Sequence, residues 1–195
     1  MIETGLASGE DTVRFARGIH KNANRLLTLI NDIIRLSELD SNEEEMVTET
    51  LNLYELAKVC VDMLGPNAEK HNVTITMQGE ECSIQGNRMM IEELLYNLCD
   101  NAIRYNNENG SVLVDVRRRG EQVVLMVSDT GIGIPKAYQE RIFERFYRVD
   151  KSRSKSTGGT GLGLAIVKHI LEKHKAKLEL DSDIGKGTRM KITFD

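Results

Sequence analysis

Long apolar runs, paired-cysteine motifs and an excess of positive charge are all missing from this chain of 195 residues. No stretch approaches the roughly 20 apolar residues that a membrane helix requires. No secretory leader is visible either, so this stretch itself reads as soluble. Cys60, Cys82 and Cys99 are odd in number and show no C-x-x-C spacing. That pattern fits reduced cytoplasmic thiols, with Cys60 and Cys99 packed in helices as small apolar groups. The formal charge of −4 lacks the basic face of a nucleic-acid platform, so no nucleic-acid partner is expected. His71, His169 and His174 are expected at helix ends and make no metal-ligand spacing with cysteine or acid.

What the chain does have is length and pattern. Its length suits one good domain plus an appendage. Phe15, Ile19, Ala23, Leu26, Leu27, Ile30, Ile33, Ile34 and Ser37 recur at three- and four-residue steps. They predict one amphipathic helix over 12–39, with Ser8 and Asp11 as a capping signal. So broad a stripe calls for a second helix, in trans if none is supplied in cis. The same pattern also describes a core helix folded onto the domain behind it. SNEEE at 41–45 reads as a linker. Beyond it we expect a strand near 47–51, a helix over 53–71 bent at Gly65-Pro66, and strands near 73–78 and 82–85. A helix over about 87–105 follows, then a hairpin of strands 111–118 and 122–128. After Pro135 come a short helix, a polar stretch, helix 161–174 and strands near 177–182 and 188–194. The alternation predicts an α+β fold, a two-layer α/β sandwich.

Three segments carry chemistry. In NLCDNAIRYN at 97–106 and the turn before it, Glu93, Asn97, Asn101 and Tyr105 fall four apart on one helix face. Ile91, Leu94, Leu95, Leu98 and Ala102 make the opposite, core-facing stripe. Asparagine is a poor helix-interior residue unless its side chain has a task, although a solvated face also tolerates it. DTGIGIP at 129–135 follows the strand VVLMVSD. A carboxylate at a strand mouth is costly to desolvate, and becomes favourable on accepting a hydrogen from an adenine amine. Gly131 and Gly133 there would let backbone approach a base and turn where a β-carbon would obstruct. Alone, the segment could be an ordinary D-T-G turn. GGTGLGLAI at 158–166 is neither a P-loop, since Leu164 and Ala165 replace Lys and Ser/Thr, nor a dinucleotide fingerprint. It reads as a lid whose last glycines open a helix, where free amides attract phosphate oxygens. Lys151, Arg153 and Lys155 add charge to that lid, or simply solvate it.

Together with FERFYR at 143–148 and GKGTRMKITF at 185–194, these segments resemble the N, G1, F and G2 boxes of the catalytic half of bacterial two-component sensor histidine kinases, in the GHKL superfamily. The resemblance runs from about residue 12 to the C-terminus. It implies a Bergerat-type ATP-binding domain over 46–195, preceded by part of a dimerisation and phosphoacceptor hairpin over 1–45. ATP and Mg²⁺ are the implied ligands. Asn97 would hold the metal, with Asn101 and Arg104 beside the phosphates and Tyr105 bordering the nucleotide. Asp129, Gly131, Gly133 and Thr188 would take the adenine, Thr188 often through water. Gly159, Thr160, Gly161, Leu162 and Gly163 would form the phosphate lid. Glu93 stands where related ATPases activate water, and Arg148 where an arginine can neutralise the terminal phosphate. The aromatics of FERFYR are expected to pack the lid's hinge.

The resemblance further implies a homodimer through the N-terminal helices of the full-length protein and a response-regulator receiver domain as partner. It implies a cytoplasmic portion of a protein anchored in the bacterial membrane. The family's phosphoacceptor motif H-E-x-x-T/N-P-L is missing. His20 is followed by KNANRL, and 33–40 resembles the end of the second hairpin helix. A fragment that binds nucleotide but barely autophosphorylates is therefore expected. A stand-alone GHKL ATPase using Glu93 and a degenerate interaction module are the alternatives.

Overall fold

The computed structural model describes residues 9–41, 47–149 and 159–195. Ser8, residues 42–45 of the expected linker, and Lys151, Arg153 and Lys155 lie outside them. The first element is helix α1, Gly9–Ser41. Strand β1 (Glu49–Asn52) pairs antiparallel with β3 (Ser83–Gly86) as a separate ribbon. The main sheet has five strands in the order β2-β4-β5-β7-β6. They are β2 (Thr74–Gly79), β4 (Ser111–Arg119), β5 (Gln122–Asp129), β6 (Lys177–Asp183) and β7 (Gly187–Phe194). Only β2 and β4 run parallel; the other neighbours are antiparallel.

Helices α2 (Leu53–Lys70), α3 (Arg88–Arg104) and α4 (Gly163–Lys173) form the second layer. Strand alternation sends Val112, Val114 and Val116 of β4 inward, and Leu125, Val127 and Ile192 join them. Helical periodicity returns Ile91, Leu94, Leu95, Leu98 and Ala102 of α3 to meet them, all buried as the stripe predicts. Burying such a side chain is worth about 1.5–3 kcal/mol. Cys60 and Cys99 are buried in α2 and α3.

Asparagine caps set where two helices begin. Asn52 Oδ1 accepts the Glu55 amide hydrogen, and Asn87 Oδ1 accepts that of Met90 at 3.2 Å. The expected bend at Gly65-Pro66 does not end α2, which continues through Pro66 to Lys70. The missing amide forfeits one ladder bond, and the flanking turns hold. The short helix after Pro135 is two 3₁₀ turns, Lys136–Tyr138 and Arg141–Phe143. His169 lies within α4 rather than at its end, whereas His71 and His174 do close α2 and α4.

Helix α1 is not a core helix. Ile19 and Leu26 are 64% and 60% exposed, and Leu27, Ile30, Ile33 and Ile34 are exposed as well. It touches α4 and leaves much of its apolar stripe to solvent. Among the described residues, no helix is long and apolar enough to cross a membrane.

Candidate functional site

Two glycine-rich loops converge on the outer face of α3. At one end, β5 delivers Asp129. Its Oδ1 accepts the Gly131 amide at 2.8 Å and the Thr188 amide at 3.2 Å. Both backbone donors converge on one oxygen, so Oδ2 is the acceptor left for a ligand. Burial pushes the Asp129 carboxyl above the ordinary aspartate range, and the two amides pull against it.

The glycines beside it are also required by the chain's own backbone. A β-carbon on Gly131 would fall 2.3 Å from the Tyr105 carbonyl oxygen. One on Gly133, where φ is +68°, would fall 1.9 Å from the Asp183 carbonyl oxygen. These glycines admit the chain's own backbone, which packs the loop against the C-terminus of α3 and the end of β6.

At the other end, α3 presents its amides. Asn97 Nδ2 donates to the Glu93 carbonyl at 2.9 Å, which turns Oδ1 outward. A β-carbon on Gly163 would fall 2.6 Å from that oxygen and 3.8 Å from Asn101 Nδ2. Gly163 opens α4, whose first turn has no side-chain cap, so its amide donors face the same region. Arg148 Nη1 donates to the Gly159 carbonyl, and Gly159 also faces the Tyr105 hydroxyl. Tyr105 therefore touches both loops: its carbonyl accepts the Ile132 amide at 3.1 Å.

Four expected placements change. Arg104 closes on Asp100 at 2.5 Å as a contact ion pair, its Nε lacking hydrogen-bond alignment, so its charge is already engaged on α3. Leu162 is fully buried, and only its backbone is available to the lid. The Thr160 hydroxyl donates to Asp32 of α1 while its oxygen accepts the Leu162 amide of the glycine loop at 3.3 Å. Among the aromatics of FERFYR, Phe143 and Tyr147 pack on the core, but Phe146 is 57% exposed. Its left-handed backbone, with φ +63°, lets its amide reach the Gly161 carbonyl at 2.9 Å and points the ring outward.

Two residues join the site without having been singled out. Asp32 is one. Ser182 is the other: it occupies an inward position in the alternation Leu178, Leu180, Ser182, where an apolar residue is expected. That break in pattern was its only sequence signal.

Residues 86–195 match the family model described as histidine kinase-, DNA gyrase B-, and HSP90-like ATPase. The chain belongs to that family. It is 36% identical over 198 residues to the sensor-like histidine kinase SenX3 of Mycolicibacterium smegmatis, covering 100% of this chain and 52% of the relative. It is 34% identical over 184 residues to the sensor histidine kinase WalK of Bacillus subtilis, covering 93% and 30%. The chain thus spans about half the length of the first of these relatives and less than a third of the second. The solved histidine kinase ThkA in complex with response regulator TrrA superposes with a TM-score of 0.77 at 23% identity, covering 98% of this chain and 53% of that one. That likeness establishes the fold, α1 included. The HATPase match marks residues 86–195 as an ATP-binding domain of the histidine kinase type.

Proposed function

We propose that this chain is the C-terminal kinase portion of a bacterial sensor histidine kinase, with a hairpin segment over 1–45 and a catalytic domain over 46–195. It binds ATP in the cleft between α3 and the two glycine loops, and the γ-phosphoryl passes to a histidine imidazole. The bond from the γ-phosphorus to the β-bridging oxygen breaks and a phosphorus–nitrogen bond forms, with ADP leaving and the imidazole proton lost. A response-regulator aspartate would then take the phosphoryl, in keeping with the partner named for ThkA. The full-length protein would dimerise through the α1 region and be anchored in the membrane.

The observation that carries this reading is Asp129: a half-buried carboxylate with one oxygen held by two backbone amides and the other free to accept. It would take the exocyclic amine of adenine, with Thr188, Gly131 and Gly133 shaping the base end. At the phosphate end we assign Asn97, Asn101, Arg104, Tyr105 and the lid residues Gly159, Thr160, Gly161, Leu162 and Gly163. Arg148 would neutralise charge developing on the transferred group, after leaving the Gly159 carbonyl. Glu93, one turn before Asn97, would serve as the general base.

The donor set also fits magnesium. Among the described residues, no group of three or more His, Cys, Asp or Glu could hold a metal ion. The outward Asn97 oxygen would hold Mg²⁺ with phosphate oxygens and water, and the ion would supply charge neutralisation between phosphates.

Titration calorimetry with Mg-ATP tests the reading: binding heat is expected, and Asp129→Ala should abolish it. Absence of heat with folded wild-type protein overturns it. Given γ-labelled ATP and a relative's phosphoacceptor hairpin, the label should appear on the hairpin. Strong labelling of His20 instead would refute the assignment of α1 as a second hairpin helix.

A further inference from the structure

The hydroxyl of Ser182 is saturated. It is 6% exposed and has one hydrogen to give and two lone pairs to receive. Three groups surround it. The Ile134 amide donates to it at 2.8 Å, the Gly187 carbonyl lies at 2.9 Å, and the Thr188 hydroxyl lies at 3.0 Å. A carbonyl can only accept, so the Ser182 hydrogen goes to Gly187. An amide N–H can only donate, so Ile134 occupies one lone pair. The remaining lone pair faces Thr188, and the Thr188 hydroxyl must therefore be the donor.

This fixes a hydrogen position at the base end of the cleft. Thr188 sits beside Asp129, to whose Oδ1 its own amide donates at 3.2 Å. Its hydroxyl hydrogen is committed to Ser182, so only oxygen lone pairs remain for a ligand. The surrounding backbone holds the arrangement in place. Gln139 Nε2 donates to both the Ile134 and the Ser182 carbonyls, at 2.9 and 2.8 Å, and pins the loop to β6.

We propose that Ser182 is a positioning residue for purine selectivity: it locks the Thr188 hydroxyl so that Asp129 and Thr188 meet position 6 of a purine as acceptors only. A 6-amino purine supplies the donors these oxygens need. A 6-oxo purine brings another acceptor and finds no donor in this pair, because the Thr188 hydroxyl hydrogen is held by Ser182. Part of the selectivity is then set by a residue that does not touch the base. The inference rests on the reading of this cleft as an ATP site.

The test compares Mg-ATP with Mg-inosine triphosphate, which carries the 6-oxo group, by titration calorimetry on the whole chain. In Ser182→Ala the Thr188 hydroxyl is free to rotate and donate. The preference for ATP over inosine triphosphate should fall about tenfold, the worth of about one neutral hydrogen bond. In a Thr188→Val background the same Ser182→Ala change should no longer alter the preference, since no hydrogen is left to release. Ser182→Cys keeps the size with a weaker acceptor, should relax the preference in the same direction, and serves if Ser182→Ala does not fold. An unchanged preference in a folded variant that still binds ATP overturns the proposal. So does an equal loss with valine at 188, which would place the effect in the loop rather than the hydroxyl. A wild-type protein that binds neither nucleotide removes the underlying ATP reading instead.

Discussion

The Thr160 hydroxyl donates to the Asp32 carboxylate at 2.5 Å and ties the lid to α1 across 128 residues of sequence. Burial raises the Asp32 carboxyl above its ordinary range, and the bonds to Thr160 and the charge of Arg104 partly offset that. The lid's conformation is thus coupled to a helix outside the sandwich. Cutting the link from either side should loosen the same segment. Asp32→Ala and Thr160→Val should each speed amide exchange over 159–163, and a double-mutant cycle should show a coupling of about 0.5–1.5 kcal/mol. Additive effects would mean the contact carries no energy in solution.

Asp129 trades stability for an acceptor. Its folded pKa is raised, so its contribution to stability is fully present below the unfolded value and lost as pH rises through the folded one. At neutral pH the ionised carboxylate is therefore a net cost. Asp129→Asn keeps an oxygen for the Gly131 and Thr188 amides, and should raise Tm at pH 7. The same change should weaken Mg-ATP binding tenfold to about a hundredfold. Calorimetric melting paired with titration reads both; a lower Tm contradicts the cost argument.

His174 links two helix ends. Its Nδ1 hydrogen goes to the Ile170 carbonyl at 2.8 Å, and Nε2 accepts the Asn87 amide at 3.1 Å, so the ring must be neutral. Burial lowers its pKa from the ordinary histidine value, against the Ile170 bond. In the window between the unfolded pKa near 6.5 and the lower folded one, the unfolded chain binds more protons. Stability should fall as pH drops through that window. Urea unfolding at several pH values should show the slope, and His174→Gln should flatten it. An unchanged slope in the variant refutes the assignment.

Two glycine substitutions should separate binding from folding. In Gly133→Ala the new methyl meets backbone at 1.9 Å from a residue with positive φ, so about 1–3 kcal/mol of stability should be lost. In Gly163→Ala the methyl meets side-chain atoms, crowding the end of Asn97 and reaching Asn101 Nδ2 only at ordinary contact distance. That change should leave stability equal or up to about 1 kcal/mol higher, as helix propensity favours alanine. It should nevertheless weaken Mg-ATP binding by displacing the Asn97 oxygen. Equal effects of both variants on denaturation midpoint would contradict this.

Periodicity made the layers legible. The stripe Ile91, Leu94, Leu95, Leu98 and Ala102 is buried as read, and the hairpin of β4 and β5 falls within a residue of its expected bounds. Period and burial are local properties, so sequence carries them. That a β-carbon is excluded at Gly131 and Gly133 was legible, but not which groups exclude it, because the carbonyls of Tyr105 and Asp183 arrive from distant elements. The partners of Arg104 and Thr160, Asp100 and Asp32, were illegible for the same reason: which acceptor a flexible or lid side chain finds depends on tertiary neighbours. Ser182 announced itself only as a polar residue in an apolar register.

Tyr105 closes α3 with its carbonyl on Ile132 and its ring edge near Gly159. The loop carrying Asp129 and the loop leading into α4 therefore share one pivot. A tilt of the last turn of α3 must carry both rims in concert, so opening one edge of the cleft while the other stays still would require breaking the Ile132–Tyr105 bond first.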